Sequence, residues 1–128
     1  MTAMKLQKLV YYSQAWSLVW DNKPLFPEKI EAWANGPVVP VLYNYHRGEF
    51  IINSDQFSSG DPKNLEKREI DTINSVLETY GDKSPQWLSE LTHHEAPWEN
   101  ARKGLRPGER GNREITYAMM AEYYESLL

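Results

Sequence analysis

Apolar residues recur at spacings of three and four positions between residues 3 and 20, the period of one helix face. The residues on this stripe are Leu6, Leu9, Val10, Ser13, Trp16, Val19 and Trp20. Lys5, Lys8 and Gln14 fall mainly outside the stripe, so the pattern places them away from the core. Thr2 is a suitable N-cap, because its hydroxyl can accept a hydrogen bond from an early backbone N–H. We therefore predict a helix over residues 3–20.

Two further helices are predicted in the middle of the chain. Their apolar positions are Leu65, Ile70, Ile73, Leu77 and Tyr80 in the first, and Trp87, Leu88 and Leu91 in the second. Asn64 is the predicted N-cap of the first, and Gly81 ends it. Ser84 followed by Pro85 begins the second, which ends near His93, because serine caps a helix and proline suits its first position.

A last helix is predicted after Thr116, which has the properties of an N-cap. Ile115 and Met120 have the spacing of a hydrophobic staple around this cap. Polar residues, glycines and prolines dominate residues 54–62 and 94–111, so both stretches are predicted to be loops.

Residues 30–43, which we call the corner, cannot form a single helix or strand. Pro37 and Pro40 each lack a backbone N–H, and each restricts the preceding residue to extended geometry. Asn35-Gly36 is typical of a turn, because both residues tolerate positive φ. The corner is therefore predicted to be an extended segment over residues 29–33, a turn and a helix.

These elements together predict a mainly α fold, with about five helices in a compact single domain over residues 1–128. The helix that follows the corner runs from Pro40 to a C-cap at Gly48. At most one small β element is expected, near residues 29–33, with residues 113–115 as its candidate partner.

Composition narrows the classes of function. The chain has 128 residues, 14 basic and 18 acidic, with a net charge of −4 and no cysteine. Binding to nucleic acid is not expected, because it depends on a basic surface. The absence of cysteine excludes disulfides, thiol nucleophiles and Cys-based zinc sites. No long apolar run or signal peptide is present, which favours a cytoplasmic protein without membrane contact.

One stretch does concentrate positive charge. Its basic residues are Arg102, Lys103, Arg106, Arg110 and Arg113. Contact with nucleic acid or with an acidic partner is one interpretation of this segment. A solvated loop is the interpretation that the pattern favours.

His93-His94-Glu95 is the strongest candidate for chemistry. Metal ligands on a helix need a spacing that places them on one face, and adjacent histidines point about 100° apart. No serine has the glycine-flanked turn that exposes a nucleophile, and no glycine-rich phosphate loop is present. We expect no catalytic residue, metal or cofactor, and the alternative is a small metal-dependent or hydrolytic enzyme around these three residues.

Four ordered motifs give a family resemblance over nearly the whole chain. They are Lys5-Leu6-Gln7-Lys8-Leu9-Val10-Tyr11-Tyr12-Ser13-Gln14-Ala15-Trp16, Pro24-Leu25-Phe26, Glu31-Ala32-Trp33 with Gly36-Pro37-Val38-Val39-Pro40 and Leu42-Tyr43, and Leu88-Ser89-Glu90-Leu91-Thr92-His93 with Pro97-Trp98. The sequence resembles the SocA-like antitoxin (Panacea domain) family. Members often carry a short apolar helix ahead of the first motif, whereas this chain starts almost at that motif.

This resemblance implies an antitoxin of a bacterial or prophage toxin–antitoxin pair. Such a protein neutralises a cognate toxin by direct binding, and a variant of this role is an adaptor that delivers the toxin to a protease. Self-association is compatible with either role.

The corner is the candidate partner-binding surface. The predicted contact residues are Trp33, Val38, Val39, Tyr43 and Tyr45. A corner bounded by prolines is rigid before binding, so a partner that docks there causes little loss of conformational entropy. Tyr and Trp supply large contact areas with few rotatable bonds. The alternative is that these groups are core residues, which we favour for Trp33, and the outward residues of the last helix are a second candidate surface.

Overall fold

The computed structural model describes residues 1–51 and 65–128. The helices, in chain order, are α1 (Ala3–Trp20), α2 (Pro40–His46), α3 (Lys67–Tyr80), α4 (Pro85–His93), α5 (Ala96–Ala101) and α6 (Tyr117–Glu125). The strands are β1 (Ile30–Trp33), β2 (Gly36–Val38) and β3 (Glu114–Ile115). The prediction of a mainly α fold with a small β element is confirmed. The loop predicted at residues 54–62 lies outside the described residues.

Helix α1 is the central element and packs against α3, α4, α6 and β2. Its range and its N-cap are as predicted, since the Thr2 hydroxyl accepts a hydrogen bond from the Lys5 N–H at 3.1 Å. The prediction of a single buried stripe is wrong. Lys8 and Gln14 are only 2% and 0% exposed, whereas Trp20 is 45% exposed. A helix enclosed on several sides buries polar residues as well, and each of these then needs hydrogen-bond partners.

Polar side chains of α1 bind the segment that leads into the corner. The Gln14 side chain accepts a hydrogen bond from the Leu25 N–H at 2.7 Å and donates one to the Phe26 carbonyl at 2.8 Å. The Ser17 hydroxyl donates to the Lys23 carbonyl at 2.6 Å. These side chains therefore satisfy backbone groups that no secondary structure pairs.

The corner forms a β-hairpin that sequence analysis described only in part. Strand β1 lies between β2 and β3 and is antiparallel to both. Ile30 is in register with Ile115, which confirms the predicted partner strand, and Trp33 is in register with Gly36. The residues after the turn were not predicted to be a strand. Pro37 is tolerated there because β2 is an edge strand, and Gly36 adopts a φ of +126° at the turn.

The buried face of α3 differs from the predicted stripe. Ile70 and Leu77 are 39% and 42% exposed, whereas Thr72 and Val76 are 4% and 0% exposed. Thr72 can occupy the interior because its hydroxyl donates a hydrogen bond to the Asp21 carboxylate at 2.7 Å. The interior that the periodicity predicted for Ile70 and Leu77 is thus occupied by Thr72, a polar residue whose hydroxyl has a hydrogen-bond partner.

Most helix ends are where the sequence places them. The Ser84 and Thr116 side chains cap α4 and α6 by accepting hydrogen bonds from backbone N–H groups three residues later. Helix α3 ends at Gly81 as predicted, but its N-cap is Glu66 and not Asn64. Glu66 forms a capping box with the third residue of that helix, which satisfies two backbone donors at once.

Helix α5 was not predicted, and the burial of one residue of α4 was predicted incorrectly. The segment that becomes α5 begins with Ala96-Pro97, and proline at the first turn is the local signal for it. Trp87 was expected to be buried but is 44% exposed, with the Lys83 ammonium 5.0 Å from its ring centroid. A cation over the ring face stabilises an aromatic side chain at the surface.

Helix α6 closes the core at the C-terminal end. Ile115 and Met120 are 1% and 0% exposed, as expected of the two residues of a hydrophobic staple. Tyr124 is also fully buried and lies 5.5 to 6.1 Å, centroid to centroid, from three aromatic rings of α1. In the part of the chain that the structure describes, no helix combines the length and the apolar character needed to cross a lipid bilayer.

Candidate partner-binding cleft

An open cleft of about 960 Å³ lies where the start of α1 meets the corner. Its walls are formed by Ala3, Met4, Gln7, Lys8, Glu31, Trp33, Ala34, Asn35, Val38, Tyr43, His46, Gly48, Glu49, Phe50, Arg110, Gly111 and Asn112. We call it the corner cleft. It combines apolar and aromatic groups with two carboxylates, one lysine and one arginine, a composition suited to a site that binds a polypeptide segment.

Gln7 fixes the corner to α1. Its side-chain oxygen accepts a hydrogen bond from the Val39 N–H at 2.9 Å, and its side-chain nitrogen lies 2.8 Å from His46 Nε2 and 3.5 Å from the Val39 carbonyl. An amide nitrogen can only donate, so His46 Nε2 is the acceptor and the imidazole proton is on Nδ1. Helices α1 and α2 are thereby held in one relative position.

Lys8 follows Gln7 in α1 and contacts strand β2. Its ammonium donates a hydrogen bond to the Pro37 carbonyl at 3.2 Å, and burial lowers the pKa of Lys8 to about 8. A Cβ at Gly36 would lie 2.6 Å from Lys8 Cε, so the absence of a side chain at that position makes room for the lysine. Two of the motifs that carried the family resemblance therefore meet at this point.

The aromatic wall of the corner cleft is held by a carboxylate. Glu31 accepts a hydrogen bond from Trp33 Nε1 at 2.9 Å, and its second oxygen is 3.3 Å from the Lys29 ammonium. The rings of Trp33 and Tyr43 meet edge to face with centroids 5.0 Å apart, and Tyr43 meets His46 in the same way at 5.3 Å. These contacts fix the orientation of both rings.

The predicted contact residues differ in their exposure and in whether they line the cleft. Trp33 and Tyr43 are partly buried and line the corner cleft, whereas Tyr45 is 66% exposed and is not one of its lining residues. Val38 and Val39 are 7% and 4% exposed, so the expectation that they are surface residues is wrong. Val38 is buried because β2 packs against α1, and Val39 belongs to the hydrophobic core. Val38 is nevertheless one of the residues that line the corner cleft. The role of the corner in partner binding stays a prediction.

Sequence reasoning missed Gln7, Lys8 and Glu31 as residues of the cleft. Each was quoted as part of a motif, but its charge or amide was taken to face solvent or was given no role. Gln7 and Gln14 are one heptad apart, on the same side of a helix, and both bind backbone groups of the following segment. A polar residue repeated at that interval beside an apolar stripe is the signal that could have indicated their burial.

His93, His94 and Glu95 do not share a partner. The His93 ring nitrogens lie 2.6 Å from the Ser89 carbonyl and 3.2 Å from the Ala34 carbonyl, so the imidazole links α4 to the corner. His94 is exposed. Within residues 1–51 and 65–128, no group of three or more His, Cys, Asp or Glu residues is placed to hold a metal ion.

Glu95 belongs to a buried network with three tyrosines. Tyr12 and Tyr124 donate hydrogen bonds to the same carboxylate oxygen at 2.7 and 2.8 Å. The Tyr11 and Tyr124 hydroxyls are 2.9 Å apart, and because Tyr124 donates to Glu95, Tyr11 donates to Tyr124. This network joins α1, α6 and the start of α5.

The network predicts a pH dependence of stability. Burial raises the pKa of Glu95 above its ordinary value of 4.5, and the tyrosine hydrogen bonds oppose only part of this rise. The folded protein thus binds more protons than the unfolded chain above pH 4.5, and the stability that the protonated form provides is lost as the pH rises through the folded pKa.

In Glu95→Gln, a carbonyl oxygen still accepts both hydrogen bonds without titrating. We expect a flatter dependence of unfolding free energy on pH, measured by urea denaturation from pH 4.5 to 8. Equal slopes in the two proteins would contradict the buried, titrating carboxylate.

The basic segment is anchored by its first residue. Arg102 is 5% exposed and donates hydrogen bonds to the carbonyls of Ala32, Arg106 and Glu109. The preference for a solvated loop is therefore wrong for Arg102, because its guanidinium satisfies backbone oxygens inside the fold. The other four basic residues of the segment are exposed, and Arg110 is the one that lines the corner cleft.

Comparison with known families identifies the class of protein. A family model described as antitoxin SocA-like, Panacea domain, matches residues 6–99. The chain belongs to this family, as the motifs indicated. The match contains most of α1, the corner, α4 and the start of α5, and thus most of the residues that line the corner cleft. No curated protein and no solved structure matches the chain.

Proposed function

We propose that this chain is the antitoxin of a bacterial or prophage toxin–antitoxin pair, and that it neutralises a cognate toxin by binding it. The observation that carries the proposal is the family match over residues 6–99. The action is binding and not catalysis, it takes place in the cytoplasm, and residues 1–128 act as a single domain. Delivery of the bound toxin to a protease is a variant that begins with the same binding step.

The corner cleft is the surface that we assign to the toxin. Its aromatic groups are already oriented, since Trp33 is held by Glu31 and Tyr43 packs against both Trp33 and His46. Side chains that are fixed before association lose little conformational entropy when a partner docks. Large aromatic groups at the centre of a contact contribute most of the binding free energy in protein interfaces.

Truncation of one aromatic residue of the cleft tests this assignment. In Tyr43→Ala, we expect the affinity for the product of the adjacent reading frame to fall by about 30-fold, the effect of losing one interface anchor of about 2 kcal/mol. The affinity is measured by titration calorimetry, and growth rescue is measured in cells that express that product. Trp87→Ala is the control, because Trp87 is a 44% exposed aromatic residue of α4 that does not line the cleft.

Circular dichroism establishes that each variant is folded before its binding is compared. Wild-type affinity and full growth rescue by folded Tyr43→Ala and Trp33→Ala would show that the toxin binds elsewhere. The outward residues of α6, among them the partly exposed Met119 and Tyr123, are then the next surface to test.

A further inference from the structure

Lys8 is a buried cation without a counter-charge. The residue is 2% exposed, and its hydrogen bond to the Pro37 carbonyl is the only polar contact that it makes within residues 1–51 and 65–128. In the same residues, no carboxylate lies within 4.0 Å of its ammonium. An ammonium group has three donors, so two of them have no partner in the described structure.

Burial of such a group is costly, because the low dielectric disfavours its charge and unused donors lose their hydrogen bonds to water. Proteins normally compensate a buried charge with an opposite charge or a full set of hydrogen bonds. Lys8 has neither, although it retains its proton at neutral pH, where its pKa of about 8 leaves roughly ten protonated groups for each neutral one.

The hydrogen bond that Lys8 donates to the Pro37 carbonyl does not require a charged donor. One residue earlier, the neutral amide of Gln7 binds both backbone groups of Val39. The corner also reserves space for the lysine, since Gly36 lacks the Cβ that would meet Lys8 Cε at 2.6 Å. The charge itself therefore needs a different explanation from the hydrogen bond to Pro37.

The position of Lys8 supplies that explanation, because the residue lines the corner cleft. We propose that the Lys8 ammonium is the anchor of an anion site in the corner cleft, and that its ligand is a carboxylate carried by the protein partner. This inference rests on the proposed function. The carboxylate is an Asp or Glu side chain of that partner, inserted beside Trp33 and Asn35.

The other charged groups of the cleft are compatible with a carboxylate ligand. Arg110 adds a second positive charge to the lining. Glu31 also lines the cleft and is buried, so its carboxylate would repel the ligand, but Trp33 Nε1 and Lys29 bind its two oxygens. Glu49 is exposed and therefore screened by solvent. An ionic hydrogen bond formed in a partly dehydrated cleft is stronger than one at an open surface.

The first experiment tests the anion site without a toxin. The protein carries ¹³C-labelled lysine, the Lys8 Cε signal is assigned by its absence in Lys8→Met, and sodium acetate is titrated against sodium chloride at constant ionic strength. We expect a saturable shift of the Lys8 signal with acetate and none with chloride. Lys103, which is exposed and outside the cleft, provides the control signal. Identical responses of the two signals, or of Lys8 to the two salts, would overturn the anion site.

The second experiment tests the source of the carboxylate. Lys8→Gln keeps a neutral donor, Lys8→Met removes the donor as well, and Lys103→Met is the matched control. We expect both Lys8 variants, shown to be folded by circular dichroism, to bind the product of the adjacent reading frame at least tenfold more weakly. A scan of that product in which Asp becomes Asn and Glu becomes Gln should find one carboxylate whose loss weakens wild type but not Lys8→Gln.

The two experiments separate the possible failures. Wild-type affinity in the folded Lys8 variants, or additive effects throughout the carboxylate scan, would overturn the assignment of the ligand to the partner. If the product does not bind wild-type protein at all, the proposed function fails and the acetate titration still decides the anion site. A saturable acetate shift together with additive effects in the scan would identify a free carboxylate as the ligand instead.

Discussion

Replacement of Tyr12 by alanine is expected to lower the free energy of unfolding by about 4–6 kcal/mol. The Tyr12 side chain is fully buried and stacks on Tyr80 with ring centroids 4.2 Å apart. Its hydroxyl donates a hydrogen bond to the buried Glu95 carboxylate at 2.7 Å. The substitution thus creates a cavity and also removes one of the two donors that solvate Glu95. Urea denaturation monitored by circular dichroism measures the loss.

Two companion variants separate the contributions to this loss. Tyr12→Phe removes only the hydroxyl and should cost about 1–3 kcal/mol, the cost of leaving a buried polar group without one of its partners. Trp20→Ala removes a 45% exposed aromatic residue from the same helix and should cost about 1 kcal/mol or less. A Tyr12→Ala variant as stable as Trp20→Ala would contradict the packing described for α1.

Replacement of Gln7 by leucine is expected to lower the free energy of unfolding by about 2–5 kcal/mol. The variant keeps the volume of the side chain but leaves the Val39 N–H and His46 Nε2 without the partners that lie 2.9 and 2.8 Å away. Each buried polar group that loses its partner costs about 1–3 kcal/mol. Thermal and urea denaturation provide the measurement.

Gln86→Leu is the matched control for Gln7→Leu, because Gln86 is exposed on α4. Its stability should stay within about 0.5 kcal/mol of wild type. If the two leucine variants are equally stable, the glutamine does not hold the corner on α1.

Local signals in the sequence were sufficient to predict most of the fold. Thr2, Ser84 and Thr116 were identified as N-caps, because a cap depends on a few neighbouring residues. The turn at Gly36 was predicted because glycine tolerates a positive φ. The predicted partner of β1 near Ile115 was correct, although the pairing joins residues 85 positions apart.

Burial was harder to predict wherever tertiary contacts override the period of the sequence. Lys8 and Gln14 are buried because α1 is enclosed on several sides, which a single apolar stripe does not indicate. Thr72 is buried where the periodicity predicted Ile70, because Asp21, 51 residues before Thr72, supplies a hydrogen-bond acceptor. Such partners are distant in sequence and leave no periodic pattern.

The candidate site could be predicted only in part for the same reason. The resemblance to the family directed attention to the corner, and Trp33 and Tyr43 do line a cleft there. The lining also includes residues 110–112, which are some 70 positions further along the chain. The predicted pairing of residues 29–33 with residues 113–115 brings this segment near the corner, but no sequence pattern indicates that it lines a cleft or that Lys8 lines the same cleft.

The hydrogen bond between Tyr11 and Tyr124 joins residues 113 positions apart and has a consequence for synthesis of the protein. Contacts of such long range form late, because a large loop must close before they stabilise the chain. A ribosome that has translated only the family-matched region, to residue 99, has not yet made β3 or α6. The growing chain therefore exposes the aromatic face of its first helix until the last turns emerge, and throughout that interval proteases and chaperones compete with folding.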